Sequence, residues 1–262
     1  MLIVFGTTTV GKRDRIRVRT TCPHCGTVGA LLQSYTTMEC AHVYWIPLIP
    51  LGRRRLVMEC PACKRGYKFN LRSAPHCNAI ETTRQKAAEL ARQADPQVMG
   101  QIAMLTHLCD FEGAEAAIAQ LQGAAPPALH SHAAAWYWEL RGDADKADEH
   151  YRRAVEADDT GEVWFEYGEF LLACSQDEQA LEALRRAREM NPALDYLAPI
   201  HVAALARKQK KNFSAMLLLM DELVRLNPAL MQDRRFAKQM ATAQKKCGHV
   251  PDTDNPYAGG VA

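Results

Sequence analysis

The chain has 262 residues, 48% apolar and 24% charged, with a formal net charge of +2. That is the make-up of a water-soluble protein of one or two domains. No apolar run reaches the roughly 18 to 20 residues of a membrane span, and the apolar start Met1 to Phe5 is too short and lacks the basic lead of an export signal. A cytoplasmic protein without membrane contact is therefore expected. Charge is unevenly placed: residues up to Arg72 hold twelve basic and three acidic side chains, whereas the remainder holds 20 basic and 27 acidic. Opposite sign in two stretches marks two modules with different surfaces.

Strand-like alternation dominates residues 1–74, over Leu2 to Phe5, Arg13 to Thr20, Ala30 to Thr37 and Leu56 to Glu59. In the second segment a period of two places Arg13, Arg15, Arg17 and Arg19 on one side of the strand, and Arg53, Arg54 and Arg55 are assigned to the same basic face. Such a face is either a patch for phosphate backbones or acidic partners, or a solvated strand face of a small sheet; without interleaved aromatics it is a weak nucleic-acid signal.

Two Cys-Pro-x-Cys knuckles, Cys22-Pro23-His24-Cys25 and Cys60-Pro61-Ala62-Cys63, carry the sharpest chemistry. Two thiols separated by two residues share one tight turn, and two such turns supply four soft ligands for a tetrahedral Zn²⁺. One structural zinc held by Cys22, Cys25, Cys60 and Cys63 is expected, since four thiolates leave no position for water or substrate. Gly26 follows the first pair and suits the positive φ of a knuckle; Lys64 stands at that point in the second. The alternatives are a redox motif, which would open a helix where Gly26-Thr27-Val28-Gly29 stands, and a pair of structural disulfides, which needs an oxidising compartment. Cys40, Cys77, Cys109, Cys174 and Cys247 are scattered and read as buried small hydrophobes.

Between the knuckles, Trp45-Ile46-Pro47-Leu48-Ile49-Pro50-Leu51-Gly52 has two prolines three apart, which forbid a central strand and favour an extended stretch ending in a turn. It serves either as part of a very small core or as an exposed apolar ledge. The order of Leu2-Ile3-Val4-Phe5-Gly6, the first knuckle with Gly26, this proline segment and the second knuckle resembles a family of short zinc-ribbon proteins over about the first 70 residues. The resemblance implies a zinc-ribbon fold with the four cysteines as ligands, and it implies no activity.

Residues 75–83 read as a linker, and alanine-rich helical patterning fills 84–247. Asp158-Asp159, Asn191-Pro192 and Asn227-Pro228 end three successive amphipathic helices, 33 and 36 residues apart. Ala114, Ala147, Ala180 and Met216 share one repeat position, and Ile118, Tyr151, Leu184 and Met220 another. A period in the mid-thirties with small residues at helix crossings marks a helix-turn-helix solenoid. Trp164, Tyr167-Gly168, Leu171, Ala180, Leu184, Ala187 and Pro192 resemble the tetratricopeptide pattern, with weaker units at about 95–122, 128–159 and 197–228, and a final helix is expected over Asp233 to Lys246. That resemblance implies a concave surface lined by His132, Trp136, Glu139, Phe165, Glu169, His201 and Lys208. It lacks the lysine and asparagine set with which tetratricopeptide domains clamp a peptide carboxylate.

The fold class expected is thus a small all-β zinc ribbon followed by an all-α tetratricopeptide-like solenoid, with residues 248–262 a tail. His76-Cys77 and Cys247-Gly248-His249 put thiol near imidazole without an orienting carboxylate, and no phosphate-cradling loop is present. A non-catalytic adaptor binding proteins through the repeats is the leading expectation. A nucleic-acid-associated protein using the basic ribbon is the alternative, and a thiol-dependent enzyme comes third. The sequence leaves the oligomeric state open.

Overall fold

The computed structural model describes residues 5–27, 30–43, 46–157 and 160–248. The chain divides into two compact units, Met1–Ala157 and Asp158–Ala262. The first holds an antiparallel sheet of β1 (Phe5–Thr20), β2 (Ala30–Val43), β3 (Ile46–Glu59) and β4 (Tyr67–Asn70), in that order across the sheet. It continues with α1 (Ala74–Arg92), α2 (Val98–His107), α3 (Phe111–Ala124), α4 (Pro127–Arg141) and α5 (Ala144–Val155). The second unit holds α6 (Glu162–Cys174), α7 (Asp177–Met190), α8 (Leu197–Gln209), α9 (Phe213–Leu226), a 3-10 turn (Pro228–Gln232) and α10 (Arg234–Lys246). Sheet followed by helices agrees with the expected order of classes, and α10 coincides with the final helix read from sequence. Residues 75–83, expected to be a linker, lie inside α1. Pro75 in the first turn is compatible with a helix start, because the amide it lacks has no intrahelical partner there.

The strands are longer than the alternation suggested, and their registers decide where the arginines go. β2 runs without interruption while both neighbours carry extra residues: β1 between Val10 and Arg13 and between Arg13 and Ile16, β3 at three points. Each bulge reverses the alternation of the strand that holds it. Pro47 and Pro50 lie in the part of β3 that has only β2 beside it, since β4 pairs with Arg54–Val57 alone. Prolines are confined to such one-sided stretches because they cannot donate to a second neighbour. Ile49 and Leu51 are 60% and 53% exposed, so these two residues form a ledge rather than a core. Trp45 and Met1 to Val4 lie outside the described residues.

Helix packing in the first unit follows from small residues. Ala87, Ala91, Ala114, Ala117 and Ala133 let helices approach, while Val98, Ile102, Leu105, Leu121 and Tyr137 fill the space between them. The sheet is fastened to these helices. Ile16 packs with Ala103 and Leu140, and Trp136 leans on the same group. Arg55 sends Nε to the His107 carbonyl at 2.8 Å and Nη1 to the Asp14 carbonyl at 2.8 Å and Thr36 Oγ1 at 3.2 Å. Ser34 Oγ meets His107 Nδ1 at 3.0 Å and accepts from the Met58 amide at 2.9 Å.

Four helix pairs, α2/α3, α4/α5, α6/α7 and α8/α9, turn in the same way. Cys109, Gly142, Ser175 and Lys211 take left-handed backbone conformations with φ of 69°, 79°, 68° and 58°. The following residue of each returns its amide to a carbonyl five back: Asp110 to Leu105, Asp143 to Trp138, Gln176 to Leu171 and Asn212 to Arg207, at 2.9–3.0 Å. That is the bond closing a Schellman turn. Asp110, Asp143 and Asn212 then cap the next helix by accepting from the amide three residues on. Ala114, Ala147, Ala180 and Met216 are buried at equivalent depth, as are Tyr151, Leu184 and Met220, whereas Ile118 is half-buried. α7 ends at Met190 before Asn191 and α9 at Leu226 before Asn227, as read from sequence; Asp158 and Asp159 lie outside the described residues.

In the second unit Gly168 faces α7 so closely that an added Cβ would stand 2.7 Å from Leu184 Cγ and Cδ2. Arg207 of α8 reaches a buried Asp177 on α7, Nε to Oδ2 at 2.9 Å and Nη2 to Oδ1 at 2.5 Å, and also bonds the Leu172 carbonyl of α6 at 2.6 Å. One guanidinium thereby joins three helices.

Candidate metal centre

The two knuckles are built alike. In the first, the Gly26 amide returns to the Cys22 carbonyl at 2.9 Å and the Cys22 amide to the Thr27 carbonyl at 3.0 Å; in the second, Lys64 returns to Cys60 at 2.9 Å and Cys60 to Arg65 at 2.8 Å. Gly26 has φ of 69° and Lys64 58°, so lysine takes the left-handed position that the sequence left in doubt. Gly66 is required for a different reason. Where the chain leaves the second knuckle, a Cβ on residue 66 would lie 2.8 Å from Glu59 Cα and 2.9 Å from the Val57 carbonyl. The His24 ring rests 5.6 Å from that of Tyr67 on β4, which ties the first knuckle to the strand following the second.

The sulfurs of Cys22, Cys25, Cys60 and Cys63 all lie within 4.8 Å of one another. Cys22 Sγ is 3.9 Å from Cys63 Sγ, and Cys25 Sγ 3.8 Å from Cys60 Sγ. Metal–sulfur bonds of about 2.3 Å at tetrahedral angles set sulfurs about 3.8 Å apart. A disulfide needs about 2.05 Å, and all four cysteines are unbonded. The donor set therefore fits a tetrahedral ion of the soft or borderline kind, with all four positions taken by protein.

Around the sulfurs the backbone favours thiolates unevenly. The Thr27 hydroxyl, 3.2 Å from Cys25 Sγ, and then the Thr27 amide bring the Cys25 thiol down to about 6. The Cys63 amide lowers Cys60, ahead of the opposing effect of burial. The Arg65 amide favours a thiolate on Cys63, but burial and the neighbouring sulfurs outweigh it and leave that group at about 11. Four thiols this close cannot all ionise beside one another, and a divalent cation removes the obstacle. Cys22 and Cys60 are buried with Ala30 and Leu32, so the site lies within a small hydrophobic cluster of the sheet.

The seven arginines of the expected basic face do not share one side. Arg55 is 0% exposed and points into the helix-facing interior, where its Nη2 has no hydrogen-bond partner. Arg13 pairs with Thr36 and Ile16 with Ser34; since directly paired residues point the same way, the bulge puts Arg13 on the side of Ile16. Arg53, paired with Met38, falls there too. Arg17 and Arg54, paired with Gln33 and Thr37, lie on the other side, and Arg54 is bound to Glu39 at 2.5 Å. Arg15 is exposed, and the Arg19 side chain lies outside the described part.

The residues expected to line a groove are divided between the two units. In the first unit His132 is buried with its ring 6.2 Å from that of Tyr151, Trp136 is half-buried toward Ile16, and Glu139 accepts from the Tyr151 hydroxyl at 2.8 Å. In the second, Phe165 meets Tyr196 edge-on at 5.4 Å, His201 lies 6.3 Å from Phe236, and Glu169, His201 and Lys208 are exposed. His132, Trp136 and Phe165 thus have packing roles.

The thiol and imidazole pairs singled out in the sequence lie in different surroundings. His76 is buried with Nε2 3.2 Å from the Leu108 carbonyl, while its neighbour Cys77 is exposed. Cys247 Sγ lies 3.8 Å from Ser214 Oγ. Of the five cysteines expected to be buried, Cys40 is; Cys109, Cys174 and Cys247 are half-buried. Their neighbourhoods are set by helix ends, which composition does not reveal. Sequence reasoning missed the fastening of the sheet by Ser34, Arg55 and His107, for which the only signal would have been the strand registers.

No protein-family model matches the chain, and no curated protein matches it in sequence. No described helix is long and apolar enough to cross a membrane.

Proposed function

We propose that the chain is a non-catalytic scaffold in which one structural zinc ion stabilises a ribbon related to the short zinc-ribbon proteins, and in which tetratricopeptide-like repeats present surfaces to partner proteins. The observation that carries the metal assignment is the spacing of Cys22, Cys25, Cys60 and Cys63, which suits an S₄ tetrahedron with no open position. Metal binding to such a site contributes folding energy directly. The repeat assignment is supported by the turns at Cys109, Gly142, Ser175 and Lys211, whose geometry recurs at intervals of 33, 33 and 36 residues along the numbering. Binding of nucleic acid through the ribbon is the weaker reading, because Arg55 is interior and Arg54 is bound to Glu39.

Natively purified protein is expected to contain one equivalent of zinc by elemental analysis, and to lose near-ultraviolet dichroism when a strong chelator removes it. Protein partners cross-linked to the full chain in cells should survive nuclease treatment and raised salt. Metal well below one equivalent removes the first half of the proposal. Partners that disappear with nuclease, together with a steep fall of DNA binding with salt, replace the second half by the nucleic-acid reading.

A further inference from the structure

β1 is an edge strand, and its two halves are guarded differently. From Gly11 to Arg17 it carries four cations, contains the bulges and packs Ile16 toward α4. Charge and bulges of this kind keep another strand from pairing. From Phe5 to Val10 it is unbroken, six successive residues matching Val43 to Met38 on β2. This stretch reads Phe-Gly-Thr-Thr-Thr-Val, with no charge and no proline. Thr7, Thr9 and Val10 are exposed. Besides the ladder to β2, the one hydrogen bond its backbone makes among the described residues is at the Val10 carbonyl, from Thr37 Oγ1. The other open edge at this end of the sheet, Ile46 to Leu51 of β3, is interrupted by two bulges and by Pro47 and Pro50, which carry no N–H.

We propose that the unguarded half of β1 pairs antiparallel with the same segment of a second copy of this chain, about a two-fold axis at Thr8, making one eight-stranded sheet. The sequence of the segment selects that occupant. An axis at Thr8 sets Thr7 opposite Thr9, Gly6 opposite Val10 and Phe5 opposite Gly11, so no charge meets a like charge and β-branched residues face each other, which suits cross-strand packing. Moving the axis to Lys12 confronts that residue with its own copy, and moving it to Asp14 confronts Arg13 with Arg15. The cationic half thus confines pairing to the uncharged stretch, and the closed two-fold arrangement covers the β1 edge of both copies. The bulge at Gly11, with φ of 70°, ends the paired stretch.

The test is the mass of the full-length, metal-replete chain in solution over a concentration series, by sedimentation or light scattering. Wild type is expected to pass from one chain to two as concentration rises. Thr7→Lys/Thr9→Lys places the introduced lysines opposite each other twice across the axis and should hold the protein at single-chain mass. Thr7→Glu/Thr9→Lys alters the same two exposed positions but sets opposite charges across the axis. It should restore two-chain mass at a concentration no higher than wild type needs. Circular dichroism of both variants identifies any failure to fold, and the second variant stays informative if the first does not fold. Single-chain mass for wild type throughout, or two variants that associate alike, overturns the proposal; the latter result would place the contact elsewhere or give the edge to a strand from a different protein.

Discussion

Replacing His107 by asparagine isolates one buried pH-dependent element of the first unit. The imidazole is 5% exposed, touches Ser34 Oγ through Nδ1 at 3.0 Å, and sits beside the Arg55 guanidinium, whose Nε bonds its own carbonyl. Burial first, and the Arg55 charge second, depress its proton affinity from 6.5 to about 4. The depressed value means that the unfolded chain takes up the proton first as pH falls. The contribution is complete above about pH 6.5 and is lost on the way down to about pH 4. At about pH 5 the unfolded imidazole is almost fully protonated and the folded one scarcely, which costs the folded state about 2 kcal/mol relative to about pH 7.5. Asparagine can keep the contact to Ser34 and cannot titrate. Urea unfolding at the two pH values, followed by tryptophan fluorescence in a Trp164→Phe background so that the signal comes from the first unit, should show a pH-dependent loss smaller in the variant by about 2 kcal/mol. The cysteine cluster, and His130 and His150, whose proton affinities burial also lowers, are common to both proteins and cancel in the comparison. Equal losses in the two proteins would refute the reasoning.

In the second unit, Gly168→Ala gains helix propensity of about 1 kcal/mol but drives a Cβ into Leu184, for an overpacking cost of about 1–3 kcal/mol. Net destabilisation is expected, relieved in a Leu184→Ala background and read from Trp164 fluorescence; a more stable single variant would contradict the close approach. Asp177→Ala strands a buried guanidinium and should cost about 3–5 kcal/mol by the same assay, whereas Asp177→Leu/Arg207→Met should recover most of it.

How much of this was visible beforehand depended on whether a feature is local. The knuckles were legible because a tight turn, four soft ligands and their spacing are fixed within a few residues. The ends of α7 and α9 and the buried positions of Ala147, Ala180, Tyr151 and Leu184 were legible from periodicity for the same reason. The face of a strand is different: it depends on every bulge between a residue and its partner. One extra residue on β1 turns Arg13 to the side of Ile16, which alternation within β1 could not disclose, whereas Arg53, Arg54 and Arg55 are consecutive and alternation alone already separates Arg54 from its two neighbours. α1 was hidden because polar residues and a proline at its start resemble a connection. The Ser73-Ala74-Pro75 opening is nonetheless a helix-start signal that composition alone overlooks.

The Arg55 anchorage has a consequence for dissecting the chain. A cut after Arg72 would strip the His107 carbonyl from a guanidinium already short of one partner, and would bare Ile16 on one fragment and Ala103 and Leu140 on the other. The sheet with its cysteine cluster is accordingly no portable cassette. Its removal should leave the neighbouring hairpins sticky rather than merely shortened, and swapping it between proteins would require transplanting α2 and α4 as well.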